Sequence, residues 1–303
     1  MKIIKPKRLG PGSTVSVVAP SGPVSMENFE KGIKALEAAG FRAKYGAGVT
    51  ASEGYLAGSD ERRLGEFDAA FRDPGTDAVW CARGGYGSMR LLSRVDWRMI
   101  ASSCKPLAGF SDVTALELAL FRSTGMVSFH APLLTTLWNE PPQSIGWIKQ
   151  LLAGDEDARK ITAGKNGGSV KGGQCTGRLL GGNLSIICSL MGTPFLPDLT
   201  GAILLVEDVN EEPYRIDRML TQLDLGGVLG RLAGIVAGRL TVDEAAADGI
   251  NRILLEKTRR YGYPVATGFP FGHGGANMTF PQGINARFDA DSLQVELLES
   301  CVD

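Results

Sequence analysis

Short β-rich runs alternate with helical stretches through the first 130 residues, and this alternation leaves few folds open. "STVSVVAPSG" (13–22) is a β-branched run stopped by Pro and Gly. "SMENFEKGIKALEAAG" follows: Ser25 can cap, Phe29, Ile33 and Leu36 share one face, and Gly40 stops it. The same reading gives a strand at "FRAKYG" and a helix at "SDERRLGEFDAAFRDPG", capped by Ser59 and ended before Pro74. Strands at "TDAVWCA", "PLAGF" and "MVSFHAP" follow, the last two separated by a helix over "SDVTALELALFRSTG". Strands joined by helices predict an α/β fold, a parallel sheet with helices on both faces.

The alternation breaks after residue 137. "WNEPPQS" reads as a loop, and "AGKNGGSVKGGQCTG" (163–177) as an exposed hairpin or interdomain connection. Beyond it lie a helix at "GGNLSIICSLMG", a strand at "GAILLVEDV", a helix at "YRIDRMLTQLDLGG", a strand at "LAGIVAG" and a helix from about Asp243 to Tyr261. The tail from Tyr263 is a series of short, Gly/Pro-punctuated strands. We divide the chain into an N-terminal domain, 1–165, and a smaller β-rich mixed domain, 166–303.

Charge excludes several function classes. With 32 basic and 33 acidic residues the formal net charge is -1, which argues against nucleic-acid or polybasic membrane partners. Five cysteines without a CxxC pair predict reduced thiols and no zinc site. No secretory h-region and no membrane-length apolar run is present, so a cytoplasmic location is expected.

Four stretches carry candidate chemistry. In "AGFSDVTALELAL", Ser111 stands at a strand-to-helix junction. A helix cap is one reading; the other is a nucleophile exposed on a tight turn, with the N–H of Asp112 ready to hold an oxyanion. Val113 stands where a G-x-S-x-G elbow has its second Gly, which counts against an α/β-hydrolase esterase. In "LLVEDVNEEPYRIDR", Glu207 ends an apolar strand, and Glu211 and Glu212 compete for an acid role. Only two histidines exist. His273 lies in the open "FGHGG" loop, whereas His130 ends an apolar strand and reads as structural. In "ARGGYGSMRLL" (82–92) a glycine turn follows a strand neighbouring that of Ser111. Two N–H donors, one from each turn, would converge at the carboxyl edge of the sheet. The turn lacks both the P-loop ending and the G-x-G-x-x-G spacing. A non-catalytic protein using "RGGYG" to hold an anion is the reading of a different class.

Taken together, "VAPSGP", "RGGYGSMRLL", "GFSDVTAL", "FHAPLL", "GRLLGGNLS", "EDVNEEPYRIDRMLTQL" and "GFPFGHGGANMTFPQG" closely resemble the LD-carboxypeptidase family of serine peptidases. That family includes murein tetrapeptide LD-carboxypeptidases and microcin C self-immunity proteins. The resemblance implies a flavodoxin-like N-terminal domain and a Ser111–Glu207–His273 triad in the cleft between the domains. It also implies Gly85 and Asp112 as oxyanion donors, a homodimer, a small muropeptide substrate and no cofactor or metal. Ala131 departs from the family's "FHGP", away from the triad. Arg83, Asn183 and Arg215 are candidates for reading the substrate. A side chain at position 85 is expected to intrude on the reacting carbonyl. Within the family, the alternative substrate is a peptidyl or aminoacyl nucleotide.

Overall fold

The computed structural model describes residues 2–240 and 247–303. The first part of the chain runs β1 (Thr14–Val18), α1 (Met26–Ala38), β2 (Arg42–Tyr45), α2 (Asp60–Arg72), β3 (Ala78–Cys81), α3 (Trp97–Ser103), β4 (Leu107–Gly109), α4 (Thr114–Thr124) and β5 (Ser128–His130). These five strands are parallel in the order β2-β1-β3-β4-β5. This is the flavodoxin-like order, whose ligand crevice opens where the order reverses, beyond the carboxyl ends of β1 and β3. The local signals act as expected. Ser25 Oγ accepts from Asn28 N, and Ser59 Oγ from Arg62 N.

The chain continues through α5 (Leu134–Leu137), α6 (Pro142–Ala153), β6 (Lys160–Thr162), β7 (Gly168–Lys171), β8 (Gln174–Asn183), α7 (Leu184–Leu190), β9 (Ala202–Glu207), α8 (Pro213–Leu225), β10 (Gly234–Ala237), α9 (Ala247–Thr258), β11 (Val265–Thr267), β12 (Phe280–Gln282), β13 (Asn285–Asp289) and β14 (Gln294–Leu297). The helix start expected at Asp243 lies outside the described residues. The second sheet has the order β6-β14-β13-β8-β9-β10-β11-β7, with β8 to β11 parallel.

Three pairings differ from the sequence expectations. β12 leaves the tail and joins the first sheet, antiparallel to β5, with Phe280 opposite His130. Pro281 is compatible with that place because β12 is an edge strand, where a missing N–H costs no ladder bond. β6, placed by sequence with the N-terminal domain, pairs with β14 in the second sheet. The expected hairpin at 163–177 does not form. β7 pairs with β11 and β8 with β13, although only Gly172 and Gly173 separate them. That linker reaches about 11 Å, whereas four flat strand spacings span about 19 Å, so the sheet must curl. Consistently, a Cβ added to Gly234 of β10 would lie 2.8 Å from Cys175 Sγ of β8, across the intervening β9.

β9 shows how the cores are built. All six of its residues are buried; Leu204 and Val206 enter one apolar cluster and Ile203 and Leu205 the other. The first cluster also holds Val18, Phe67 and Leu116, and the second Val15, Val17 and Phe129. Each cluster therefore draws on both sheets. Among the described residues no helix is long and apolar enough to cross a membrane.

Candidate active site

β4 ends in Gly109, and the chain turns sharply. A Cβ on Gly109 would sit 2.8 Å from Val113 Cγ1, so glycine is needed for the turn to close. Phe110 is extended (φ -155°) and Ser111 is left-handed, with φ 64°. A non-glycine residue held there stores about 1–3 kcal/mol of strain, a feature that clusters at functional positions. The capping alternative fails. Ser111 opens a short 3-10 turn (Ser111–Val113) that has no side-chain cap, and α4 begins only at Thr114, with Val113 before it and again no side-chain cap.

The glycine turn after β3 comes against this elbow. A Cβ on Gly84 would lie 2.8 Å from Ser111 Cβ, 2.9 Å from its Oγ and 3.3 Å from Asp112 N. Gly84 therefore packs directly against the Ser111 side chain, with the Asp112 amide beside it, and glycine is what allows the two turns to approach this closely. Gly85 (φ 102°) differs from the expectation: a Cβ there would meet Gly22 Cα at 3.4 Å rather than the reacting position. The segment after β1 is tied to the same turn, with Gly22 N donating to Gly84 O at 2.9 Å.

Two buried side chains that the sequence reading did not assign brace these turns. The Asp112 carboxylate accepts from Ser88 N at 2.8 Å, and Ser88 Oγ lies 2.7 Å from Ser21 Oγ. Burial pushes the Asp112 carboxyl up, against the pull of these bonds. Arg63 of α2 is fully buried. It donates to the carbonyls of Pro20, Gly87 (2.9 Å) and Gly58 (3.3 Å) and to the Asp60 carboxylate. It thus holds the turns after β1 and β3 to α2. Its signal was present: Arg63 shares a helix face with buried Phe67 and Phe71, an unusual place for a cation.

Glu207, at the end of β9, is fully buried. Its Oε2 accepts from His273 Nδ1 at 2.7 Å and from the His273 backbone N at 3.2 Å. Burial pushes the Glu207 carboxyl up, but the hydrogen bonds and charge of His273 outweigh it and hold it below the usual range. Gly272 (φ 89°) makes the approach possible, because a Cβ there would lie 2.5 Å from Glu207 Oε2. The competing acids are engaged elsewhere: Glu211 pairs with Arg215 at 3.5 Å, and Glu212 precedes α8. The His273 ring packs on Phe110, the neighbour of Ser111, at 4.7 Å between centroids. Among the described residues no hydrogen bond joins Ser111 to His273; catalytic contacts of this kind are often long without substrate.

His130 is buried behind the site. Its Nδ1 lies 3.3 Å from Glu117 Oε2, and its ring meets Phe110 and Phe271 edge-on. Burial acts to lower its pKa, but the Glu117 bond and charge prevail and raise it. Of the candidate substrate contacts, Arg83 is exposed and donates to Pro23 O, and Arg215 is exposed and paired with Glu211. Asn183 is buried and occupied. Its Oδ1 accepts from Ile186 N to cap α7, and its Nδ2 donates to Asp208 Oδ1 at 3.1 Å. Burial pushes Asp208 up to about 6. Asn183 N also donates to Thr114 Oγ1, so this residue links the elbow to the strand end that bears Glu207.

The fold and site define a flavodoxin-like α/β protein extended by a second sheet, with a strained serine at one sheet edge and a buried carboxylate–histidine pair at the other. Residues 15–131 match the LD-carboxypeptidase N-terminal domain and residues 176–288 the LD-carboxypeptidase C-terminal domain. The chain belongs to the LD-carboxypeptidase family. It is 36% identical over 294 residues (93% of this chain, 90% of the relative) to a Bacillus subtilis protein named for murein peptide carboxypeptidase activity. It is 34% identical over 294 residues (92% and 94%) to the murein tetrapeptide carboxypeptidase of Pseudomonas aeruginosa. The crystal structure of a muramoyltetrapeptide carboxypeptidase from Oxalobacter formigenes superposes with a TM-score of 0.81 at 30% identity, covering 94% of this chain and 98% of that one.

Proposed function

We propose that the protein is a serine LD-carboxypeptidase that releases terminal D-alanine from murein tetrapeptide during cytoplasmic recycling of cell-wall peptides. The observation that carries this reading is Ser111: left-handed, without a capping role, and closely approached by the glycine turn at Gly84 beside the Asp112 amide. The names of the relatives at 34 and 36% identity support the murein substrate.

In this mechanism His273 Nε2 takes the Ser111 proton as Oγ bonds to the scissile carbonyl carbon. The carbonyl electron pair moves to oxygen, which the N–H groups of Asp112 and Gly85 hold. The C–N bond then breaks, and the imidazolium gives its proton to the leaving amine of D-alanine. Water, deprotonated by the same imidazole, hydrolyses the ester and restores the Ser111 hydroxyl. Glu207 holds Nδ1 as the donor nitrogen and stabilises the imidazolium. Among the described residues its second oxygen has no hydrogen-bond partner, and its charge acts on His273 through the hydrogen bond and on His130 through space.

The test is incubation with murein tetrapeptide, with released D-alanine read by mass spectrometry. A peptidyl or aminoacyl nucleotide is assayed in parallel. Hydrolysis of the nucleotide alone would overturn the murein reading and leave the serine reading standing; hydrolysis of neither would overturn both.

The two histidines separate in the same assay. His273→Ala removes the base and is expected to abolish D-alanine release. His130→Asn keeps a polar group beside Glu117 and is expected to lower the melting temperature while turnover stays within about tenfold, roughly 1.4 kcal/mol of barrier. An active His273→Ala enzyme would move the base elsewhere.

A further inference from the structure

A cavity of about 460 Å³ opens beside His273, at the carboxyl ends of β10 and β11, and the proposed mechanism leaves it unused. Its wall is formed by the His273 loop, the turn after β11, the end of β10, the start of α9 and residues 164–166. Among the described residues lining it are two cations, Lys165 and Arg239, and no carboxylate. Arg239 immediately follows Gly238 at the end of β10, and its carbonyl accepts from Asp208 N at 2.9 Å, next to Glu207. Its guanidinium lies over the backbone just after His273. A Cβ on Gly274 would meet Arg239 Nη1 at 2.7 Å, and one on Gly275 would meet Nη2 at 3.5 Å. Gly274, left-handed at φ 79°, thus also leaves room for a cation beside the base. Asn251 faces the same cavity and its Oδ1 is taken by Thr267 Oγ1 at 3.2 Å, which leaves the amide as a donor. Phe269 and Phe271 give the cavity an apolar wall.

We propose that this cavity is a subsite for a carboxylate of the substrate, held by Arg239 with Lys165 and Asn251, with the attached carbon chain against Phe269 and Phe271. The inference rests on the peptidase reading of the same site. A guanidinium binds a carboxylate through two parallel N–H bonds, and a neighbouring ammonium adds charge without competing geometry. A tetrapeptide can supply that carboxylate from its C-terminus or from the side chain of a diamino-dicarboxylic residue at the scissile bond. In the second case the pocket disfavours a lysine at that position, whose side chain ends in a cation.

The experiment compares wild type with Arg239→Gln on three peptides: the free tetrapeptide, its C-terminal amide, and its side-chain amide. Turnover of the free peptide by wild type first establishes the peptidase reading. Binding of the three peptides to both proteins, read by calorimetry, tests the pocket whether or not turnover occurs. Arg239→Gln is expected to raise KM for the free peptide about tenfold or more, with kcat within about twofold and the melting temperature unchanged. One of the two amides should cost wild type the same factor and cost Arg239→Gln nothing further, and that amide names the carboxylate in the pocket. Arg239→Lys, which keeps the charge, should recover part of the affinity that Arg239→Gln loses. Equal KM and affinity for wild type and Arg239→Gln, or losses from both amides that simply add to that of the variant, would overturn the proposal.

Discussion

Ser111→Ala is expected to lower D-alanine release by about four orders of magnitude or more, with a melting temperature close to that of the wild type. The kinetic part follows from removing the only atom that bonds to the substrate; in serine peptidases loss of the nucleophile removes nearly all of the catalytic advantage. The stability part follows from the geometry. Ser111 caps neither the 3-10 turn nor α4, so alanine sacrifices no capping bond. Alanine also keeps the strain, because φ 64° is unfavourable for any residue with a Cβ. Ser111→Gly sharpens the point. It should be equally inactive, yet no less stable, since relief of about 1–2 kcal/mol of left-handed strain offsets the larger chain entropy of glycine. A protein that gains stability as it loses activity identifies a residue held in place for function. Near wild-type turnover by Ser111→Ala would end the nucleophile reading.

Gly84→Ala is expected to reduce kcat by about a hundredfold or more and to lower the melting temperature, because the added methyl would lie 2.8 Å from Ser111 Cβ and force the elbow to shift. Gly84 does not have the left-handed φ of Gly85, so the cost of alanine there is steric rather than a backbone penalty. What the new methyl meets is the site: 2.9 Å from Ser111 Oγ and 3.3 Å from Asp112 N. A methyl there displaces the Ser111 hydroxyl and crowds the Asp112 amide, and losing one oxyanion donor alone costs about 10²–10³ in kcat. Gly85→Val should lower stability with a much smaller loss of kcat. Its φ of 102° makes any side chain strained, and the methyl groups press on Gly22, so the cost falls first on stability. Steady-state kinetics and melting curves for the two variants distinguish these outcomes. An active Gly84→Ala enzyme would mean that the reacting carbonyl sits elsewhere along the sheet edge.

The difference between positions 84 and 85 marks the boundary of what the chain shows by itself. The helix ends at Ser25 and Ser59, the apolar strands and the β-α alternation are local, because caps, period and turn residues act over a few positions. The candidate nucleophile was legible for the same reason: the strand, the glycine and the helix that expose Ser111 are consecutive. Glu207 and His273 were legible because histidines are scarce and because the motifs carry a family resemblance. Other features depend on which segments meet across long stretches of chain. β12 completes the first sheet from 150 residues away, and β6 joins the second, because a three-residue strand has too little pattern to select a partner until a neighbouring edge is formed. Arg63 and Asp112 become braces, and Arg239 comes to lie beside His273, through the same kind of meeting. Sequence determined which groups have the chemistry; tertiary structure decided which way each backbone faces, because the direction of a Cβ is set by φ and ψ and what it meets is set by the segments packed against it.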